Sequence, residues 1–192
     1  PEKFYQNKIF NFPKTINYKN VKSLTINENF PINLSDLEVL QNLTKLDIYN
    51  HLNVLKPNYR RLPALNKLKS LFFSTSKPHN ENETDPLSNI ENSKNLESII
   101  IDTSAYCRDT DMTYNIPLDL KNFHTLSKLK KLELNGIHVS LLKNIGKLVN
   151  IESFELANPK IVTEEQPDDF FPIDEPMTEK DLNFIKYMTN LK

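Results

Sequence analysis

The segment Leu129-Lys-Lys-Leu-Glu-Leu134 decides how this chain is read. Its apolar residues stand at the first, fourth and sixth places. The last two are two residues apart, so they point to one side of an extended strand. The spacing recurs at Val21-Lys-Ser-Leu-Thr-Ile26, Leu43-Thr-Lys-Leu-Asp-Ile48, Leu68-Lys-Ser-Leu-Phe-Phe73, Leu96-Glu-Ser-Ile-Ile-Ile101 and Ile151-Glu-Ser-Phe-Glu-Leu156. All 18 of these positions are apolar in a chain that is 38% apolar. Chance agreement of that kind is on the order of 10⁻⁸ before allowing for freedom in the alignment.

Successive units are 22, 25, 28, 33 and 22 residues apart. The pattern predicts short parallel strands near 23–27, 45–49, 70–74, 98–102, 131–135 and 153–157, one per unit. A single unit cannot cover its own leucines, so neighbours must. The return segments carry a different period. Leu37, Leu40 and Leu43 recur at three, as do Leu120, Phe123 and Leu126, then Leu142, Ile145 and Leu148, then Leu182, Ile185, Met188 and Leu191. That spacing predicts one or two helical turns behind each strand. Ser35 with Glu38, and Thr178 with Asp181, read as helix-start capping signals.

Through these units, and above all through Asn135-Gly-Ile-His-Val-Ser-Leu-Leu-Lys-Asn-Ile-Gly-Lys-Leu-Val-Asn-Ile-Glu-Ser-Phe-Glu-Leu156, the chain resembles the leucine-rich-repeat family. It looks most like the short repeats of the internalin and SDS22-like classes. The resemblance implies an α/β solenoid: a right-handed superhelix with a curved parallel sheet on the concave face and short helices on the convex face. It covers residues 21–192, with residues 1–20 as an N-terminal cap or a degenerate repeat. Met188-Thr-Asn-Leu-Lys192 reads like the start of another unit, comparable to Asn42-Leu-Thr-Lys45, so the repeat is expected to continue beyond residue 192. The family places Asn eight residues after the first leucine, where it bonds the backbone of neighbouring coils. Here those positions hold Asn29, His51, Ser76, Ser104, Ile137 and Pro159. The expectation is an irregular solenoid with a poorly formed asparagine ladder.

Composition removes several function classes. The 192 residues carry 24 Lys+Arg against 25 Asp+Glu, a net charge of −1, which argues against non-specific nucleic-acid binding. Two glycines, Gly136 and Gly146, cannot build a phosphate-cradling Gly-rich loop. The single cysteine, Cys107, excludes an internal disulfide framework and a multi-cysteine zinc site. His51, His79, His124 and His138 form no metal-ligand pattern, and Cys107 beside Arg108 lacks a framing histidine motif. No catalytic set, cofactor or metal is therefore expected. No apolar run is long enough to span a membrane. The first residues do not read as a signal peptide, so the compartment is open with a lean toward the cytoplasm. Asn33-Leu-Ser, Asn42-Leu-Thr and Asn82-Glu-Thr match the glycosylation sequon, which matters only for a secreted eukaryotic protein.

The functional expectation falls on surfaces. Residues 76–89, 104–117 and 157–178 interrupt the rhythm, all after the same end of a strand, and are predicted to emerge on one edge. Residues 157–181 hold eight acids against Lys160 and Lys180. Within them Phe170, Phe171 and Ile173 read either as a docking segment for a basic partner or as the loop's anchor on the solenoid. Residues 1–20 lean mildly basic, through Lys3, Lys8, Lys14 and Lys19. On the outward side of the strands one column runs Thr25, Asp47, Phe72, Ile100, Glu133, Glu155, and the next Asn27, Tyr49, Ser74, Asp102, Asn135, Ala157. A solvated face should be polar, yet Tyr49, Phe72 and Ile100 are large and apolar. Rimmed by Asp47, Asp102 and Glu133, they form a predicted anchor for a protein partner, unless an insertion folds over them. The predicted function is protein–protein interaction through the concave face and adjacent insertions, without intrinsic catalysis. The alternatives are a recognition fragment of a larger enzyme or effector, and a structural or adhesive surface protein.

Overall fold

The computed structural model describes residues 12–13, 16–27, 33–50, 62–75, 87, 89–103, 120–137, 142, 145, 148–159 and 183–192. Six strands form one parallel sheet in chain order: β1 (Ser23–Ile26), β2 (Lys45–Asn50), β3 (Ser70–Thr75), β4 (Ser98–Asp102), β5 (Lys131–Asn135) and β6 (Ser153–Ala157). The register is constant. Leu24, Leu46, Leu71, Ile99, Leu132 and Phe154 lie opposite one another from strand to strand. Neighbouring parallel strands need a crossover to return the chain to the same end. Here each crossover packs against the inward face of the sheet, and both belong to one core.

The return segments explain their period of three. Leu34–Val39, Ile90–Asn92, Leu120–Thr125 and Asn183–Tyr187 are 3₁₀ helices. With three residues per turn, side chains three apart eclipse and share a face. A whole coil is thus a continuous apolar series. Leu120, Phe123, Leu126, Leu129, Leu132 and Leu134 are all at most 2% exposed. The expected Ser35 cap is corrected by the structure. The first helix begins at Leu34, so Asn33 is its N-cap, and the Ser35 amide (3.1 Å) and hydroxyl (2.7 Å) both donate to the Asn33 Oδ1. Thr178 and Asp181 lie outside the described residues.

Burial weakens only at the two ends of the stack. Val21 and Leu24 in the first unit, and Phe154 and Leu156 in the sixth, are partly buried, whereas the other inward-facing leucines and isoleucines of the strands are buried. Each interior coil is covered from both sides; among the described residues the first and last strands have a strand neighbour on one side only. Phe12 and Tyr18 pack against the core, their rings edge-to-face at 5.4 Å. One polar residue interrupts the apolar series. Ser93 takes the place that Leu40, Leu65, Leu126, Leu148 and Met188 hold in other coils; it is fully buried, and its hydroxyl has no hydrogen-bond partner.

The expected Asn position eight residues after the first leucine holds a buried Ile137 and, one coil later, Pro159; the other four positions lie outside the described residues. At this edge the Asn158 side-chain amide donates to the Asn135 Oδ1 of the coil before it (3.0 Å), and a longer series of asparagine bonds runs along the opposite edge, where the strands begin. The side-chain amides of Asn42, Asn95, Asn150 and Asn190 donate to the carbonyls of Lys19 (2.9 Å), Asn66 (2.5 Å), Ser127 (2.9 Å) and Val149 (2.7 Å) of the preceding coils. Where the coil has lysine at this place, Lys67 donates to the Asn42 Oδ1 and Lys128 to the Asn95 Oδ1. Two residues later a backbone series runs beside it: Thr44 N to Lys22 O, Lys69 N to Thr44 O, Glu97 N to Lys69 O, Lys130 N to Glu97 O, Glu152 N to Lys130 O and Lys192 N to Glu152 O, all 2.8–3.0 Å. Residues 188–192 thus stack on the sixth coil in the register of every earlier coil.

Where the strands end, the chain must turn away. Gly136 (φ 70°) and Asn158 (φ 47°) do so in left-handed conformation, which Gly adopts freely and Asn tolerates. At the equivalent places before the insertions 76–89 and 104–117 stand Thr75 and Thr103, both buried. The Thr103 hydroxyl donates to the carbonyls of Asn135 (3.1 Å) and Gly136 (2.7 Å), tying β4 to the turn after β5. Among the described residues no helix is long and apolar enough to cross a membrane.

Candidate functional site

Alternation along the strands sends every second side chain outward. Because the register is constant, those side chains line up across the sheet. Asp47 pairs with Phe72, Phe72 with Ile100, and Ile100 with Glu133. Tyr49 sits diagonally to Phe72, and their rings approach to 4.9 Å between centroids at a tilt of 39°. Diagonal neighbours on adjacent strands are within reach of aromatic side chains, so this contact follows from the register. Tyr49 is 36% exposed, and Phe72, Ile100 and Asp102 are partly exposed. The tyrosine, phenylalanine and isoleucine form a single apolar ridge across β2, β3 and β4.

Charge on either side of the ridge is internally matched. Lys45 and Asp47, two apart on β2, form an ion pair at 2.9 Å. The hydrogen bond from Asp47, reinforced by its charge, raises the Lys45 pKa above the ordinary lysine value. Lys131 and Glu133 repeat the arrangement on β5 at 3.2 Å. Exposed pairs of this kind contribute little stability, but they present the ridge between two neutralised flanks. Ser74, placed by its strand position in the outward column beside Tyr49, is 2% exposed, so that column is covered at β3.

The predicted site residues therefore divide. Asp47, Tyr49, Phe72, Ile100, Asp102 and Glu133 lie on one face of the sheet within adjoining strands. Phe170 and Phe171 lie outside the described residues, as do Cys107, His51, His79 and His138. His124 is exposed at the end of the Leu120–Thr125 helix. Among the described residues no three His, Cys, Asp or Glu side chains cluster closely enough to hold a metal.

A further column, legible in the sequence but carrying no family motif, runs along the strand starts. The residue after each unit's first leucine runs Lys22, Thr44, Lys69, Glu97, Lys130, Glu152, and continues at Lys192. Lys69 meets Glu97 at 2.9 Å, Lys130 meets Glu152 at 2.9 Å, and Lys192 reaches the other Glu152 oxygen. Hydrogen bonds from Lys192 and then Lys130 hold the Glu152 carboxyl down at about 2. Beside this column, between the last coils, opens a polar cavity of about 330 Å³, with Lys128, Lys130, Glu152 and Lys192 in its lining.

No protein-family model matches the chain, and no curated protein does. Among solved structures, an internalin from Listeria monocytogenes matches at 16% identity and a TM-score of 0.39, over 91% of this chain and 47% of the internalin. The chain thus spans about half the length of that protein. The fold is established by the chain's own geometry. Each coil adds one strand and one apolar series in unchanged register and is hydrogen-bonded to the coil before it, and a chain built in this way is a leucine-rich-repeat solenoid.

Proposed function

We propose that the chain is a protein-interaction module, binding a protein partner through the outward face of its sheet and the neighbouring insertions, with no chemistry of its own. The observation that carries this reading is the Tyr49–Phe72 pair continuing into Ile100 on a face that is otherwise polar. Large apolar side chains on a rigid sheet lose little conformational freedom when covered, and aromatic anchors inside a polar rim supply most of the energy of many interfaces. Asp47 and Glu133, held by their lysines, supply the rim, and Asp102 completes it.

The test is selection of binders from a displayed peptide library on the intact chain, followed by titration against Phe72→Ala. Binders directed to this face lose affinity by about 2 kcal/mol or more on truncation of an anchor. Circular dichroism of the variant should be unchanged, because Phe72 points away from the core. Binders whose affinity survives both Phe72→Ala and Ile100→Ala would place the interaction elsewhere.

A further inference from the structure

The edge where the strands begin differs in charge from the rest of the chain. In the two columns flanking the first leucine of each unit, lysines stand at 22, 67, 69, 128, 130 and 192, against Glu97 and Glu152. That is a local excess of positive charge in a chain whose net charge is −1. We infer that this edge is a second docking site, for an acidic peptide segment, anchored at the Thr44 position.

The edge already displays the contact it would make. Glu152 sits one coil from Lys130 on one side and from Lys192 on the other, and bonds both. Glu97 bonds Lys69. Lysines two coils apart are separated by two strand spacings, about 10 Å, which leaves room for one carboxylate between them. The column alternates lysine and glutamate from Lys69 to Lys192, but at its start Thr44 stands between Lys22 and Lys69. Its hydroxyl donates to the Lys22 carbonyl (2.9 Å) and carries no charge. The Lys22 ammonium forms no ion pair among the described residues. The series is thus one carboxylate short at the place where Lys67 of the adjoining column adds further positive charge nearby.

A carboxylate from another molecule fills that place as Glu152 fills its own. An extended acidic peptide, laid across the coils, offers further carboxylates to the neighbouring lysines. A nucleic-acid strand suits the edge less well. Strand-binding proteins combine basic grooves with aromatic platforms for base stacking, and the two columns flanking each unit's first leucine hold no aromatic side chain. The site is separate from the outward face and does not depend on the function proposed for it.

The probe is a fluorescently labelled peptide of alternating Glu and Ser, titrated by anisotropy against the full chain at about 0.05 M salt, where surface charge is least screened. Binding that weakens on raising salt is expected. Thr44→Glu, which supplies the missing carboxylate from within, is expected to weaken binding about fivefold, and the neutral isostere Thr44→Gln to leave it within about twofold. Lys22→Gln should weaken it, and Phe72→Ala should not. The inference is overturned if the wild-type chain does not bind the peptide, if Thr44→Glu and Thr44→Gln behave alike, or if Phe72→Ala removes binding. A single-stranded oligonucleotide of matched charge that binds more tightly than the peptide also overturns it, in favour of nucleic acid.

Discussion

At the edge where the strands begin, each coil meets the next through the same bonds: a backbone amide onto the preceding carbonyl, an asparagine or lysine onto the coil below, and in the later coils a lysine–glutamate pair. At the edge where the strands end, the coils differ. Thr75, Thr103 and Asn158 lead into long insertions, Asn158 in left-handed conformation, whereas Gly136 turns in left-handed conformation into a unit that reaches its next strand without one. The difference teaches where the register is held. Fixing every coil at its start leaves its end free to vary in length, because a loop closed between fixed ends loses entropy only slowly as it grows.

The largest effect should come from moving an insertion from one edge to the other. A short Gly-Ser insertion between Lys94 and Asn95 separates the Asn95 amide from the Asn66 carbonyl and shifts the register of β4. It is expected to cost more than about 4 kcal/mol in urea unfolding. The same insertion inside residues 76–86 should cost under about 1 kcal/mol. Equal losses at the two places would break the comparison.

Single substitutions sharpen it at smaller scale. Gly136→Val forces a β-branched residue into a left-handed turn and should cost about 1–2 kcal/mol. Asn95→Ala leaves the Asn66 carbonyl and the Lys128 ammonium without their partner, and a loss of about 1–2 kcal/mol is expected. Ser93→Ala removes a buried hydroxyl that bonds nothing, so thermal unfolding should shift upward or stay level, a gain of up to about 1 kcal/mol.

Acid provides the smallest effect. The folded-state pKa of Glu152, about 2, lies below the ordinary glutamate value of 4.5. Its contribution to stability is present above about pH 4.5 and is lost as the pH falls toward about 2. Glu97, lowered by its hydrogen bond to Lys69, follows the same direction. Both are partly exposed, so the acid sensitivity should be slight and should fade with added salt. Glu152→Gln should remove its share; an unchanged pH profile in that variant would show that the pair contributes nothing measurable.

Much of this was readable beforehand because a solenoid writes its contacts in sequence order. Leu46, Leu71, Ile99 and Leu132 become neighbours in space simply by holding the same place in successive units. The outward column was readable for the same reason, since Phe72 and Ile100 hold the same place in successive units. The cap was misread because Ser35 and Glu38 have the right spacing, and only the observed start at Leu34 shows that Asn33 already occupies the role. Of the family's asparagine positions only those held by Ile137 and Pro159 lie among the described residues, and neither is an asparagine. The asparagines that bond neighbouring coils at the strand starts, Asn42, Asn95, Asn150 and Asn190, stand directly before the first apolar residue of their units, a column that the sequence shows but that the family pattern does not mark.

By itself, the sequence determined the repeat, the parallel order of the strands and which face of each strand is buried. These follow from local periodicity, which is a property of the chain alone. Tertiary structure decided that the return turns are 3₁₀, that Ser93 is buried with an unbonded hydroxyl, that Tyr49 leans onto Phe72, and that Lys130 and Lys192 share Glu152. The 3₁₀ turns are set by backbone bonds within each coil as it packs on the sheet; the other three depend on distances between different coils, which exist only once the coils are stacked.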